Sequence, residues 1–229
     1  MNLLAFDTST EVFAVALQRG SDVTERHGAG GANASAALIP SIQALLAEAG
    51  LQAGDLDAIV FGRGPGSFTG LRTACAVAQG LAFGAAVPVL PVETLLAVAE
   101  EARWRAGATR VLALLDARME QVYAAAYGFA DGAWKREGEI ALASPEQVEL
   151  PPGWSLAGNA FAAYGERLPD GPRIEALPTA LALLRVAPGL LAAGGAVAAS
   201  EALPLYIRDR VAQTTQERAA ARALAASSS

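Results

Sequence analysis

Short apolar runs and longer stretches with helical spacing alternate along the first half of the chain. The short runs are typical of buried strands, whereas apolar residues at every third or fourth position are typical of helices that cover a sheet. The clearest helix has Leu38 and Ile42 on one face. Asn33 or Ser35 is its expected N-cap, and Gly50 ends it. The predicted elements are strands at 2–7, 12–17, 22–27, 58–61 and 87–90 and helices at 35–49, 67–83 and 93–104.

The second half repeats this order of elements in a weaker form. Residues 112–116 have the apolar character and final aspartate of residues 3–7. Further elements are strands at 121–127, 133–140 and 154–157, a weak helix after Ser144-Pro145 and a helix at 159–167. Three strands followed by alternating helices and strands are the order of a ribonuclease-H-like half. Because the second half repeats this order, the pattern indicates an internal duplication. We expect a first half at 1–106, a degenerate second half at 107–210 and a polar, partly disordered tail at 211–229.

Composition limits the classes of protein to which the chain can belong. Its 229 residues are 53% apolar and 17% charged, which is typical of a globular chain with a sizeable core. The formal net charge of −6 has the wrong sign for unaided binding to a phosphate backbone. No apolar stretch reaches the roughly 18 residues of a membrane span. Because Cys75 is the only cysteine and the N-terminus lacks signal-peptide features, we expect a cytoplasmic protein.

Residues 62–70, Gly-Arg-Gly-Pro-Gly-Ser-Phe-Thr-Gly, form the most specific motif in the chain. One explanation is an anion or partner site, because Gly66 and Gly70 permit close backbone approach and the first amides of the next helix point outward. The other explanation is a tight turn with close helix packing. The run lacks the Gly-Lys-Ser/Thr of a Walker loop and the downstream acid of a dinucleotide fingerprint.

Small residues recur at every fourth position of the helix that follows this motif. They are Gly70, Ala74, Ala78, Ala82 and Ala86. A stripe of this kind lets another backbone approach closely. The surface that it meets is either the sheet of the same chain or a partner, and the residues alone leave both open.

Two aspartates end matching strands of the two halves: Asp7, followed by Thr8 and Ser9, and Asp116. In these positions they would suit phosphate and metal binding in a cleft between the halves. A phosphate-binding turn in the second half would need glycine behind its aspartate, whereas the chain has Ala117-Arg118-Met119. We therefore interpret these residues as a vestigial nucleotide site.

The chain offers no histidine-based metal chemistry. His27 is the only histidine, which excludes a zinc site with two or more histidine ligands. Cys75 lies within an apolar helix, where a cysteine is structural more often than nucleophilic. We predict no metal site and no catalytic residue.

Three motifs together carry a family resemblance. They are Leu4-Ala5-Phe6-Asp7-Thr8-Ser9-Thr10, then Gly62-Arg63-Gly64-Pro65-Gly66-Ser67-Phe68-Thr69-Gly70-Leu71-Arg72, and Asp116-Ala117-Arg118-Met119-Glu120-Gln121-Val122-Tyr123. They resemble the TsaB (YeaZ) family of bacterial tRNA threonylcarbamoyladenosine biosynthesis proteins, over residues 1–210. The resemblance implies an α/β fold of the actin-like, sugar-kinase-like ATPase (ASKHA) class, with two ribonuclease-H-like halves in tandem. The duplicated order of elements leads to the same architecture.

The resemblance also implies a role. Such proteins act with a paralogue, TsaD, and a small ATPase, TsaE, in moving a threonylcarbamoyl group onto the adenosine beside the anticodon of tRNAs that read codons beginning with A. TsaD carries the catalysis and binds a metal with a His-x-x-x-His pair. This chain has Thr94 and Val98 at the corresponding positions. The resemblance therefore implies a subunit that is not itself an enzyme, and it argues against a metallopeptidase.

Our leading hypothesis is a scaffold subunit whose helices at 35–49 and 67–83 pair with those of TsaD or, when the chain is alone, of a second copy. Transfer RNA would be bound only through the complex. The signature loop at 64–72 would shape the interface or a composite ATP or ADP site, and no other cofactor is expected. The alternative is a small-molecule kinase or ATPase that uses Asp7 and Asp116 around magnesium. The expected interface residues are Leu38, Ile42, Leu45, Gly70, Leu71, Ala74, Cys75 and Ala78.

Overall fold

A computed structural model of the chain describes residues 1–208, which form two five-stranded sheets. The strands are β1 (Asn2–Asp7), β2 (Val12–Arg19), β3 (Asp22–Ala29), β4 (Ala58–Gly64), β5 (Val89–Glu93), β6 (Arg110–Arg118), β7 (Gln121–Ala130), β8 (Ala133–Ala143), β9 (Ser155–Gly158) and β10 (Arg173–Glu175). Their orders are β3-β2-β1-β4-β5 and β8-β7-β6-β9-β10. In each sheet three antiparallel strands are followed by two parallel ones. This repeated topology confirms the predicted tandem fold.

The helices differ in which sheet faces they cover. They are α1 (Ala32–Ala49), α2 (Phe68–Ala85), α3 (Thr94–Ala106), α4 (Phe161–Tyr164) and α5 (Ala180–Ala192). Helices α1 and α2 lie side by side over one face of the first sheet. The short α4 belongs to the core on the outer face of the second sheet. Within residues 1–208, no helix is both long and apolar enough to cross a membrane.

Helices α3 and α5 lie between the two sheets and join them. Helix α5 packs on β1, β2, β4 and β5 of the first sheet. Helix α3 packs on β6, β7, β9 and β10 of the second sheet and also on β4 and β5 of the first, and the two helices contact each other. Leu3 and Val60 of the first sheet, Val111 of the second, Leu95 and Leu183 all belong to one buried cluster. The two sheets therefore share a hydrophobic core, although they come from successive parts of the chain.

A buried ion network reinforces this junction. Glu100 and Glu101 of α3 accept hydrogen bonds from Arg185 of α5, at 3.0 and 2.6 Å. Arg103 and Arg105 bind the same carboxylates from within α3. Burial by itself would raise the pKa of both glutamates, but the hydrogen bonds and positive charges of the arginines lower it overall. Both carboxylates are therefore held in their charged form.

Several predicted elements differ in their limits. Helix α1 begins after Gly31, so Asn33 and Ser35 lie within the helix and do not cap it. The weak helix after Ser144 is a single 3₁₀ turn, Pro145–Gln147. The helix predicted at 159–167 is the four-residue α4 followed by another 3₁₀ turn. The sequence pattern predicted neither β10 nor α5. The predicted tail at 211–229 lies outside the described residues.

Candidate functional site: the glycine loop, the cleft and the α1–α2 surface

The glycine loop packs tightly against the turn that follows β1. A Cβ atom on Gly66 would lie 2.6 Å from the Cβ of Ser9, and one on Gly70 would lie 1.8 Å from the carbonyl oxygen of Thr8. The Ser67 amide donates to the Ser9 carbonyl at 2.8 Å, and the Thr8 hydroxyl donates to the Gly70 carbonyl at 2.6 Å. A side chain at either position would clash with the turn after β1, so packing within the chain requires both glycines. Of the two explanations for the motif, this geometry supports the tight turn with close helix packing.

The other residues of the signature loop lead from the end of β4 into α2, which begins at Phe68. Pro65 is buried after the left-handed Gly64, whereas Ser67 and Thr69 are exposed. The Arg72 guanidinium lies 3.8 Å from the centre of the Phe68 ring. Tyr206, far along the chain, contacts both residues: its ring is tilted by 42° against that of Phe68, and its hydroxyl accepts a hydrogen bond from Arg72.

The carboxylate of Asp7 is enclosed by the protein and lies outside the lining of the cleft. It is only 1% exposed, and its Oδ1 accepts hydrogen bonds from the Ser9 amide and hydroxyl at 2.8 and 2.6 Å. The Thr94 hydroxyl lies 3.5 Å from Oδ2, and a Cβ on Gly62 would lie 1.7 Å from that atom. Burial raises the pKa of Asp7 to about 6, against the opposing effect of the Ser9 hydrogen bonds.

The carboxylate of Asp116 is paired with groups from the second half of the chain. Its carboxylate accepts hydrogen bonds from the Arg118 amide at 2.7 Å and the Tyr164 hydroxyl at 2.9 Å, and it pairs with the Arg118 guanidinium at 2.9 Å. The Asp116 amide donates to the Asn159 side chain. Burial and the hydrogen bond to Asp116 raise the pKa of Tyr164 to about 12. Asp116 therefore has its charge satisfied before any ligand binds.

A cleft of about 490 Å³ lies between residues of the two halves. A magnesium nucleotide does not fit the residues present, because Asp7 is enclosed, Asp116 is paired, and Arg118-Met119-Glu120 place side chains where a phosphate loop would have glycine. In the part of the chain that the structure describes, no group of three or more His, Cys, Asp or Glu side chains is arranged to hold a metal. The lining includes Ser9, Thr10, Gly66, Ser67, Phe68, Leu71, Asp116, Arg118, Tyr123, Asn159, Tyr206 and Arg208.

The residues predicted to contact a partner are buried within the chain, so this choice of residues was wrong. Except for Gly70 and Leu71, their side chains belong to the core beneath α1 and α2, and the small stripe lets α2 approach the first sheet closely. Of the predicted stripe, only Ala86 is exposed, and it follows the end of α2. The buried residues are Leu38, Ile42, Leu45, Gly70, Leu71, Ala74, Cys75 and Ala78.

The same two helices present a different, apolar surface to solvent. Ile39 of α1 is 43% exposed and Phe83 of α2 is 85% exposed. Ala76 and Gly80 lie at helical spacing from Phe83, and a Cβ on Gly80 would meet no atom within 4 Å. We call this the α1–α2 surface, defined by Ala36, Ile39, Ala76, Gly80 and Phe83. In α2, these exposed residues recur with the same helical spacing as the buried stripe but lie on the opposite side of the helix.

Comparison with known proteins identifies the relatives of the chain. The sequence model of the family described as "TsaD: tRNA N6-adenosine threonylcarbamoyltransferase" matches residues 30–227. The protein "tRNA threonylcarbamoyladenosine biosynthesis protein TsaB" of Escherichia coli K12 is 38% identical over 93% of this chain and 96% of its own length. The protein of the same name from Haemophilus influenzae is 35% identical over 92% and 95%.

A solved structure agrees with these sequence relationships. YeaZ from Pseudomonas aeruginosa is 41% identical and superposes with a TM-score of 0.84, covering 90% of this chain and 99% of that protein. Both the sequence similarity and the fold extend over nearly the whole chain. The chain therefore belongs to the TsaB (YeaZ) family.

Proposed function

We propose that the chain acts in the biosynthesis of threonylcarbamoyladenosine in tRNA, as a non-catalytic subunit that binds a TsaD-like partner. The observation that carries this proposal is similarity to proteins named for that pathway over more than nine-tenths of the chain. The kinase alternative has less support, because neither Asp7 nor Asp116 is available to a metal.

The non-catalytic role is supported by the residues at the positions of the expected metal ligands. Thr94 and Val98 are both fully buried in α3. The Thr94 hydroxyl accepts a hydrogen bond from the Gly64 amide at 3.1 Å and lies near Asp7. Thr94 thus serves the packing of the glycine loop, and Val98 belongs to the core between the sheets, which also argues against a metallopeptidase.

The α1–α2 surface is the proposed site of partner binding. An exposed phenylalanine beside glycine and alanine is typical of a helix face that another helix covers. The occupant is the matching helix pair of the TsaD-like paralogue or, when the chain is alone, of a second copy in a homodimer. A composite ATP or ADP site would form only within such a complex.

The remaining partners follow from charge and from the pathway. With a net charge of −6, the chain would contact tRNA only beside a more basic subunit. We place TsaE in the same assembly, and the assembly in the cytoplasm.

Sedimentation of the chain alone and mixed with its TsaD paralogue tests this proposal, with tRNA threonylcarbamoylation assayed on the same samples. We expect a heterodimer and modification that depends on the chain. No association together with unchanged modification would overturn the proposed function.

A matched pair of substitutions tests the proposed surface. Gly80 in α2 and Gly189 in α5 are both exposed helical glycines with open space around a Cβ. Gly80→Glu should weaken the heterodimer at least about tenfold, because it places a charge in an apolar contact, while Gly189→Glu should not. Equal affinity for the two variants would contradict the surface but leave the function standing.

A further inference from the structure

The last described segment of the chain runs along the glycine loop and α2. The Ala202 carbonyl accepts a hydrogen bond from the Gln79 side chain at 2.8 Å. The Leu205 amide donates to the Arg63 carbonyl at 2.7 Å. The Tyr206 hydroxyl accepts from Nε of Arg72 at 3.2 Å, and its ring lies 5.3 Å from that of Phe68. These contacts fix the segment to the first half.

The same segment ends on the second half. The Arg208 guanidinium donates to the Ala117 carbonyl at 3.1 Å and to the Gln121 side chain at 2.8 Å. It also lies 3.0 Å from the Met119 sulfur. Leu205, Tyr206, Ile207 and Arg208 all line the cleft, so the segment spans its mouth.

The turn that Arg208 binds has an unusual backbone. Arg118, Met119 and Glu120 have φ angles of 60, 55 and 59°, three successive residues in the left-handed region without a glycine among them. Each residue with a Cβ is disfavoured in this conformation, which persists only where neighbouring groups fix it. Arg208 supplies such a group, because its donors reach both the Ala117 carbonyl at the start of the turn and the Gln121 side chain at its end.

We propose that residues 202–208 are a strap that latches the mouth of the cleft, with Arg208 holding the turn at 118–120 in its left-handed conformation. The strap controls the distance between the cleft walls, while α3 and α5 join the two sheets through the core. Opening of the cleft then requires release of Arg208 and relaxation of the turn. The proposal does not depend on the function proposed above.

Hydrogen exchange of the full chain, followed by mass spectrometry, tests the latch at both ends. The reporters are the amides of residues 117–122 on one wall and of Leu205 on the other. Arg208→Ala should speed exchange at both about tenfold or more, because it removes charge-assisted hydrogen bonds. Arg19→Ala is the matched control, since Arg19 is an exposed arginine that donates to the Ala49 carbonyl elsewhere. It should leave both reporters unchanged.

Two further variants distinguish a latch from local stabilisation. Tyr206→Phe removes the hydrogen bond with Arg72 on the first wall, yet a latch predicts faster exchange at 117–122 on the other. Adding Met119→Gly to Arg208→Ala should restore protection of the turn, since glycine adopts the left-handed conformation readily. Hydrogen exchange at the Leu205 amide should remain fast in this double variant. If Arg208→Ala affects only the turn, or neither reporter, the latch is refuted. Arg208→Lys provides a milder variant should the alanine form fold poorly.

Discussion

At the scale of single residues, two glycines of α2 predict opposite effects of the same substitution. Gly70→Ala forces a Cβ to within 1.8 Å of the Thr8 carbonyl oxygen, so it should destabilise the chain by about 3 kcal/mol through overpacking. Gly80→Ala meets no atom and should stabilise it by about 0.5–1 kcal/mol through helix propensity. Urea unfolding of both variants measures the difference. Similar stabilities would contradict the packing described for the glycine loop.

Asp7 predicts a pH dependence of stability. Its folded pKa of about 6 lies above the ordinary value of 3.8, so folding favours the protonated carboxyl group. The stabilising contribution is complete below pH 4 and is lost as the pH rises through 6. Relative to Asp7→Asn, the wild-type chain should therefore lose roughly 2 kcal/mol of unfolding free energy between pH 4 and pH 7.

Urea unfolding across this pH range tests the role of Asp7. The exposed Asp170 is the control, and Asp170→Asn should follow the wild-type profile. Parallel profiles for the wild type and Asp7→Asn would show that the carboxyl group is not enclosed as described.

At the scale of elements, the α3–α5 ion network predicts a strong effect of removing one arginine. Arg185→Leu leaves Glu100 and Glu101, whose side chains are 2% and 8% exposed, without a partner from α5, and should cost about 3 kcal/mol of stability. Arg167 also binds two carboxylates, but both are mostly exposed. Arg167→Leu should therefore cost much less stability than Arg185→Leu. Thermal and urea unfolding compare the two variants, and equal losses would contradict the buried network.

The elements also show what the sequence could and could not predict. Strands β1 to β9 and helices α1 to α3 follow local apolar periods, so their order could be predicted. Helix α5 carries local signals of its own: the Thr179 hydroxyl accepts a hydrogen bond from the Ala182 amide at 3.0 Å as an N-cap, and apolar residues follow. Its position between the sheets depends on contacts far apart in the chain, which no local period shows.

The residues predicted for partner binding lie on the buried face of α1 and α2. A period of small or apolar residues marks the side of a helix that packs closely, and it does not distinguish the chain's own sheet from a partner. For Ala74 and Ala78 the neighbour is the first sheet. Only the folded structure shows that Ile39 and Phe83 remain exposed. The strap could not be predicted either, because Tyr206 and Arg208 gain their roles from residues about ninety or more positions earlier.

At the scale of the whole molecule, the two sheets depend on each other. The face of the first sheet that contains Leu3 and Val60 is covered by α5, which follows the entire second sheet along the chain. Ala202 returns to the core beneath α2 in the same way. Cutting the chain between residues 106 and 107, at the predicted boundary of the halves, therefore does not give two parts that each have a complete core.

This arrangement predicts that a fragment of residues 1–106 will not fold by itself. Helix α3 would still contact β4 and β5, but without α5 this face of the sheet would expose buried side chains on β1 and β2 such as Leu3 and Ala16 to water. Each fully buried large aliphatic side chain contributes roughly 1.5–3 kcal/mol. We expect the fragment to bind a hydrophobic dye and to lack a cooperative urea transition, whereas the full chain unfolds in one transition by circular dichroism and by tryptophan fluorescence. All three tryptophans lie beyond residue 103, so the two signals report different parts of the molecule. A cooperative transition of the fragment, or separate transitions in the full chain, would mean that the halves fold independently and that α5 only docks onto a finished first half.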